Sequence, residues 1–264
     1  MSHVENFSFF LEPTHFCNSK NPQIRALAEK ITEDYSTEQE KARELFSWVR
    51  DHILYRVGKW QNSALDTLVE GEGTCTNKAN LLVALLRSIG IPAGYGVMKT
   101  LGQEYFGPIV IPAFKRQIAQ RSTHVYATVY LDGQWFKCDP SLDIRLSLQT
   151  AHFNPQSHLV KWNGAENSQE RLDPTHILED KSPVANIDKI ISKKPRNASG
   201  IVIWAANIYV SFLRHERNDF KDILEVEDKF GKWFYANYPI YYCVYKATAF
   251  WRNLTRRTSI TTTQ

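Results

Sequence analysis

The sequence predicts an α+β fold, because three stretches of helical periodicity are followed by a strictly alternating hairpin, and helical patterning returns near the end. Asn21 before Pro22 reads as an N-cap with proline in the first turn, and Ile24, Leu27 and Ile31 then recur at helical spacing. Thr37 and Glu40 have the spacing of a capping box, with Ala42, Leu45, Phe46, Val49 and Ile53 lining one face behind it. Residues 54–73 read as a turn-rich connector carrying an exposed Trp60. From Cys75 the period resumes through Ala79, Leu82, Leu85, Leu86 and Ile89, with Gly90 as the stop and Pro92 beyond it.

The period then drops to two. Residues 91–99 read as a strand, residues 123–131 alternate, Asp132-Gly133 supplies a two-residue turn, and residues 134–139 form the return strand. Between the first two strands, residues 101–121 form an insert punctuated by proline and glycine, with apolar residues expected at the surface. Residues 140–185 read as irregular and polar. Beyond residue 188, Ile201, Ala205, Ile208 and Phe212 share a helical face, and residues 224–233 continue the pattern. The aromatic-rich stretch from Phe230 to Trp251 reads as core or domain contact. Three segments result: a helical one over 1–36, a core over 37–150, and an irregular then helical extension over 151–264 that packs on the core.

With 264 residues, 43% of them hydrophobic and 12% aromatic, the chain can bury a sizeable core. A formal net charge of +4, with no dense interleaving of basic and aromatic residues, argues against a nucleic-acid partner. Cys17, Cys75, Cys138 and Cys243 are scattered without a CxxC pair, so neither a disulfide framework nor zinc is expected. His152 and His158 lack a cysteine or carboxylate at ligand spacing, and no cofactor is expected either. The first residues show no signal-peptide pattern and no stretch approaches the ~20 apolar residues of a membrane span. A reducing cytoplasm is the expected setting. The basic clusters at residues 192–197 and at Arg252, Arg256 and Arg257 read as a solvated loop and tail, or as a dock for an acidic carrier protein.

The hairpin carries the sharpest inference. A two-residue turn pairs Leu131 with Gln134 and Tyr130 with Trp135, and so sets Asp139 opposite Tyr126. His124 shares a face with Tyr126, which makes Asp139 its diagonal neighbour at a Cβ separation of about 7–8 Å. Val125, Ala127, Val129, Phe136 and Cys138 point the other way, so Cys138 cannot readily share that imidazole. Cys75 can, if its helix packs across the His124 face. A helix N-terminus and a nearby imidazolium both lower a thiol's pKa, and a carboxylate behind the ring would fix its tautomer.

These residues resemble the transglutaminase-like superfamily, thiol enzymes of papain-like catalytic logic. The resemblance runs over residues 37–143. It is carried by "ALDTLVEGEGTCTNKANLLVALLRSIGIPAGY", with Arg87, Gly90, Ile91, Pro92 and Ala93 after the cysteine helix, and by "THVYATVYLDGQWFKCDPSLD". It implies a papain/transglutaminase-like core with the nucleophile at a helix N-terminus on a small antiparallel sheet. Cys75 would be the nucleophile, His124 the base and acid, and Asp139 its orienting partner. The implied reaction is acyl transfer on a peptide, protein or thioester-linked substrate, with the Cys75 backbone N–H as one oxyanion donor and Trp60 or Gln61 as a second. A carrier-dependent amide synthase is a narrower alternative, and a non-catalytic peptide-binding scaffold a rival one. Thr74 and Val125 stand where aromatic residues are usual in the family, and the insert exceeds what a minimal core needs.

Overall fold

The computed structural model describes residues 7–150, 159–170, 172–195, 200–215, 220–244 and 247. Helices α1 (Pro22–Thr32) and α2 (Glu38–His52) begin where their caps predict. The Asn21 side chain accepts from the Gln23 N–H, and Thr37 and Glu40 close a reciprocal box. The connector after them is more ordered than its composition suggests. It holds the short strand β1 (Leu54–Tyr55), helix α3 (Ala64–Glu70) and strand β2 (Glu72–Gly73), which pairs in parallel with β1. The overlooked signal was Ser63 with Asp66, a second capping box spaced like the first. Trp60 in this connector is half-buried, not exposed.

Helix α4 (Cys75–Ser88) is the axis of the molecule: every residue from Asn77 to Arg87 is buried. Helices α1, α2 and α3 surround it on one side, and the sheet closes the other. Such all-round burial requires apolar residues beyond a single stripe, and "ANLLVALL" supplies them.

Strands β3 (Ala93–Leu101), β4 (Arg121–Leu131) and β5 (Gln134–Cys138) are antiparallel, and the turn has the two positive φ values of a primed hairpin, 49° at Asp132 and 87° at Gly133. Leu131 pairs with Gln134 and Tyr130 with Trp135, the register read from the sequence. Val125, Ala127, Val129, Phe136 and Cys138 join the main core with α4, whereas Tyr126 belongs to a second, smaller cluster on the opposite face.

Two sequence expectations are overturned outside the hairpin. The insert hides its apolar residues. It folds into helices α5 (Gly102–Phe106) and α6 (Pro112–Lys115), and Tyr105, Ile111 and Phe114 are all buried. Because β3 and β4 are paired right up to Leu101 and Arg121, the insert is a long hairpin connection folded back over their end. Residues 140–185, expected to be irregular, contain helix α7 (Ile144–Thr150) and a fourth strand, β6 (Ile177–Val184), which gives the sheet order β5-β4-β3-β6. β6 is a polar edge strand ending near Pro183, and such strands lack the apolar alternation that betrays a buried one.

Helices α8 (Asp188–Ser192), α9 (Ile201–His215) and α10 (Ile223–Asn237) follow, and residues 239–244 are helical again beyond them. Ala205, Tyr209, Phe212, Leu213, Val226, Phe230 and Phe234 lie in the same buried cluster as α4. The buried stripe of α9 centres on Val202, Ala205, Tyr209 and Phe212, leaving Ile201 and Ile208 at its margins. The aromatic stretch is core at Phe230 and Phe234, while Tyr235, Ile240 and Tyr241 are exposed. Trp251, His152, His158, Arg252, Arg256 and Arg257 lie outside the described residues.

Candidate active site

Cys75 occupies the first turn of α4, directly after its N-cap. The Thr74 side chain accepts from the Asn77 N–H, and the Asn77 side chain accepts from the Thr74 N–H at 2.9 Å. Gly73 is required just before this box, since a Cβ there would lie 2.7 Å from the Asn77 Cβ and 3.2 Å from Thr67 Cγ2. The sulfur therefore sits at the positive end of a fourteen-residue helix, on a residue that is only partly buried, unlike the buried Cys17 and Cys138.

On β4, His124 Nε2 lies 2.7 Å from Asp139 Oδ2. The carboxylate is itself held: its Oδ1 accepts from the Ser141 N–H at 3.1 Å and from the Ser141 hydroxyl. His124 Nδ1 is buried without a hydrogen-bond partner among the described residues, and the charged groups that act on the ring are Asp139 and Cys75. Phe106, from the insert, meets the imidazole edge-on at 6.5 Å between centroids.

The thiol reaches this ring by a different route from the one expected. Helix α4 packs on the face of β4 that carries Val125, Ala127 and Val129, not across the His124 face. In a two-residue hairpin the flanking pair, Leu131 with Gln134, is hydrogen-bonded, and hydrogen-bonded pairs then recur at Val129–Phe136 and Ala127–Cys138. The next in that series would be Val125 with Pro140, but proline has no N–H and the ladder has ended. The Val125 N–H is thus left unpaired by β5 on an open strand edge, where it helps lower the pKa of the Cys75 thiol.

The charges follow from this arrangement. Burial pushes the Cys75 thiol up, but the His124 charge first, with the Val125 N–H, brings it below its ordinary value. Burial pulls His124 down, while Asp139 first and Cys75 second raise it to about 10. Asp139 would be raised by burial, yet His124, Lys137 and Ser141 hold it well below the usual carboxylate range. Both shifts favour the thiolate and imidazolium forms of the pair.

One of the two other sequence candidates is committed elsewhere. The Gln61 amide donates to the carbonyls of Ser192, at 3.2 Å, and Lys194, at 2.5 Å, so it is committed to the end of α8. Trp60 is half-buried in the same turn. Sequence reasoning missed Ser141, although "DPS" is a turn pattern that could have flagged it, and it missed the contacts that reach the site from α9.

Residues 25–140 match the family model described as the transglutaminase-like superfamily. The uncharacterized protein ML0607 of Mycobacterium leprae is 27% identical over 152 residues, which are 56% of this chain and 50% of that protein. The chain thus spans about half the length of that relative. A solved structure of a candidate cysteine protease from Cytophaga hutchinsonii is 25% identical with a TM-score of 0.40, over 50% of this chain and 40% of that one. A candidate protease from Parabacteroides distasonis is 16% identical with a TM-score of 0.32, over 44% of this chain and 22% of that one.

Proposed function

We propose that this chain, whose residues 25–140 match the transglutaminase-like superfamily, is a cysteine-dependent acyl-transfer enzyme with Cys75 as nucleophile, His124 as proton carrier and Asp139 as its orienting partner. The observation that carries the proposal is the 2.7 Å bond from His124 Nε2 to Asp139, which leaves Nδ1 as the ring atom free to trade a proton at the sulfur. The Cys75 thiolate attacks an amide or thioester carbonyl. A C–S bond forms and the π pair moves onto oxygen. Collapse expels the amine, protonated from Nδ1, or the thiol, and leaves a thioester on Cys75. Water or an amine then attacks this thioester, gives its proton to the now neutral Nδ1, and releases the acyl group with the Cys75 thiolate restored.

The exposed Lys193 and Lys194, at the end of α8 whose carbonyls hold Gln61, favour a narrower version in which the acyl group arrives as a thioester on an acidic carrier protein. One experiment addresses both versions. The full chain is incubated with a library of peptide esters and, separately, with carrier-bound thioesters, and the intact mass is read. An acyl adduct on Cys75 that is absent in Cys75→Ala is the expected result, and the productive library identifies the donor class. Adducts that persist in Cys75→Ala, or turnover that survives the substitution, would contradict the proposal.

A further inference from the structure

We propose that the hydroxyl of Tyr55 is the second donor to the acyl oxygen at Cys75, working with the Cys75 backbone N–H; this rests on the acyl-transfer reading above. Of the two sequence candidates, Gln61 has its amide already used at two carbonyls, and Trp60 is half-buried in the turn before it.

Tyr55 is placed by backbone pairing. β1 runs parallel to β2 with Tyr55 opposite Gly73, two residues before the thiol. The ladder uses its neighbours: the Leu54 N–H donates to the Gly71 carbonyl and the Arg56 N–H to the Gly73 carbonyl, each at 2.9 Å. The N–H and C=O of Tyr55 itself therefore point away from β2, and both are caught. The N–H donates to Asp143 Oδ2 at 3.1 Å, and the carbonyl accepts from Arg214 Nη2 at 3.0 Å. Arg214 and Asp143 are bonded to each other at 2.8 Å, with only 6% and 2% of their side chains exposed. Three parts of the chain, β2, the start of α7 and the end of α9, thus fix one residue beside the nucleophile. Nothing in the packing of β1 alone requires such a clamp.

The ring is half-buried against the main core, and its hydroxyl is bonded to none of the described residues. Burial, then the charge of Cys75, pushes its pKa up, so the phenol keeps its proton beside a thiolate. A proton-bearing donor on a clamped backbone, paired opposite Gly73 two residues before the nucleophile, suits a developing oxyanion. No bond at Tyr55 breaks in the step: as the carbonyl π pair moves onto oxygen, the O–H strengthens its hydrogen bond and retains its hydrogen.

Two reagents separate this role from a structural one. Iodoacetamide alkylates Cys75 by displacing iodide at a tetrahedral carbon and forms no oxyanion, whereas p-nitrophenyl acetate acylates it through one. In Tyr55→Phe, alkylation should stay within about twofold of the unsubstituted chain while acylation of Cys75 falls about 10²-fold. Cys75→Ala supplies the background for ester hydrolysis elsewhere. Unchanged acylation would overturn the proposal. A parallel fall in both rates would do so as well, by making Tyr55 a packing residue. If Cys75 of the unsubstituted chain alkylates no faster than free cysteine, the acyl-transfer reading fails first and takes this role with it.

Discussion

At the scale of single residues, the site works by holding opposite charges where burial opposes both. Burial raises the Cys75 thiol and lowers His124, yet their mutual attraction reverses both tendencies; Asp139 supports this at the ring, while its charge acts the other way on the thiol. Asp139 is the largest of the influences that hold the His124 proton, so Asp139→Asn should return the imidazole toward its ordinary range and the thiol with it. Turnover at neutral pH should fall by about 10²-fold or more, the usual worth of a positioned acid–base group. Alkylation of Cys75 should shift to higher pH in the same variant. A pH profile identical to that of the unsubstituted chain would show that the carboxylate does nothing for the ring. In terms of stability, a raised histidine pKa contributes fully below the ordinary value near 6.5 and is lost as pH rises through about 10. The imidazolium that protonates a leaving amine is lost in that same alkaline range.

At the scale of elements, what could be read from the sequence was whatever local chemistry enforces. The Asp-Gly turn set the β4–β5 register, and that register alone brings Asp139 to the diagonal of His124. The caps at Asn21 and Thr37 marked two helix starts for the same reason, because side chain and partner lie within three residues. The losses were elements whose stability comes from distant partners. β6 has five exposed positions in eight and pairs only with β3, so its sequence carries no stripe. In the insert, Phe114 is buried by Tyr209 and Phe230, each about a hundred residues away. Tyr126 lies flat over Gly96, where any Cβ would fall 1.8 Å from its ring, and reaches Asp180 on β6 at 2.8 Å. No spacing rule reports such a contact. The position of α4 shows the same limit: the approach of the thiol past the end of β5 depends on where a ladder stops.

At the scale of the whole molecule, the C-terminal helices belong to the machinery that shapes the site. Arg214 on α9 meets Asp143 beside α7, and together they grip Tyr55; Asn207 exchanges two hydrogen bonds with Val57, at 3.0 and 2.9 Å; and Gln61 is tied to the end of α8. Arg214→Ala would strand a buried carboxylate and should cost about 3–5 kcal/mol of stability, read by urea unfolding at neutral pH. The sign with pH is fixed. Burial raises Asp143, but Arg214 more than offsets this and depresses it. Its contribution is therefore complete above the unfolded carboxylate value near pH 4 and disappears as pH falls through the lower folded one. The gap between the unsubstituted chain and the variant should close in acid. A gap independent of pH would mean that the ion pair carries none of the loss. Among the described residues no helix is long and apolar enough to cross a membrane.

The central claim is that sulfur 75 is held as an anion by the ring at position 124, and the most direct measurement is the rate of iodoacetamide alkylation at Cys75 against pH. The account predicts a rate that is already high at pH 6–7, rising with a midpoint below the value of about 8.5 shown by free cysteine, and a midpoint that moves upward in His124→Ala. A midpoint at or above that of free cysteine, unmoved by removal of the imidazole, would contradict it.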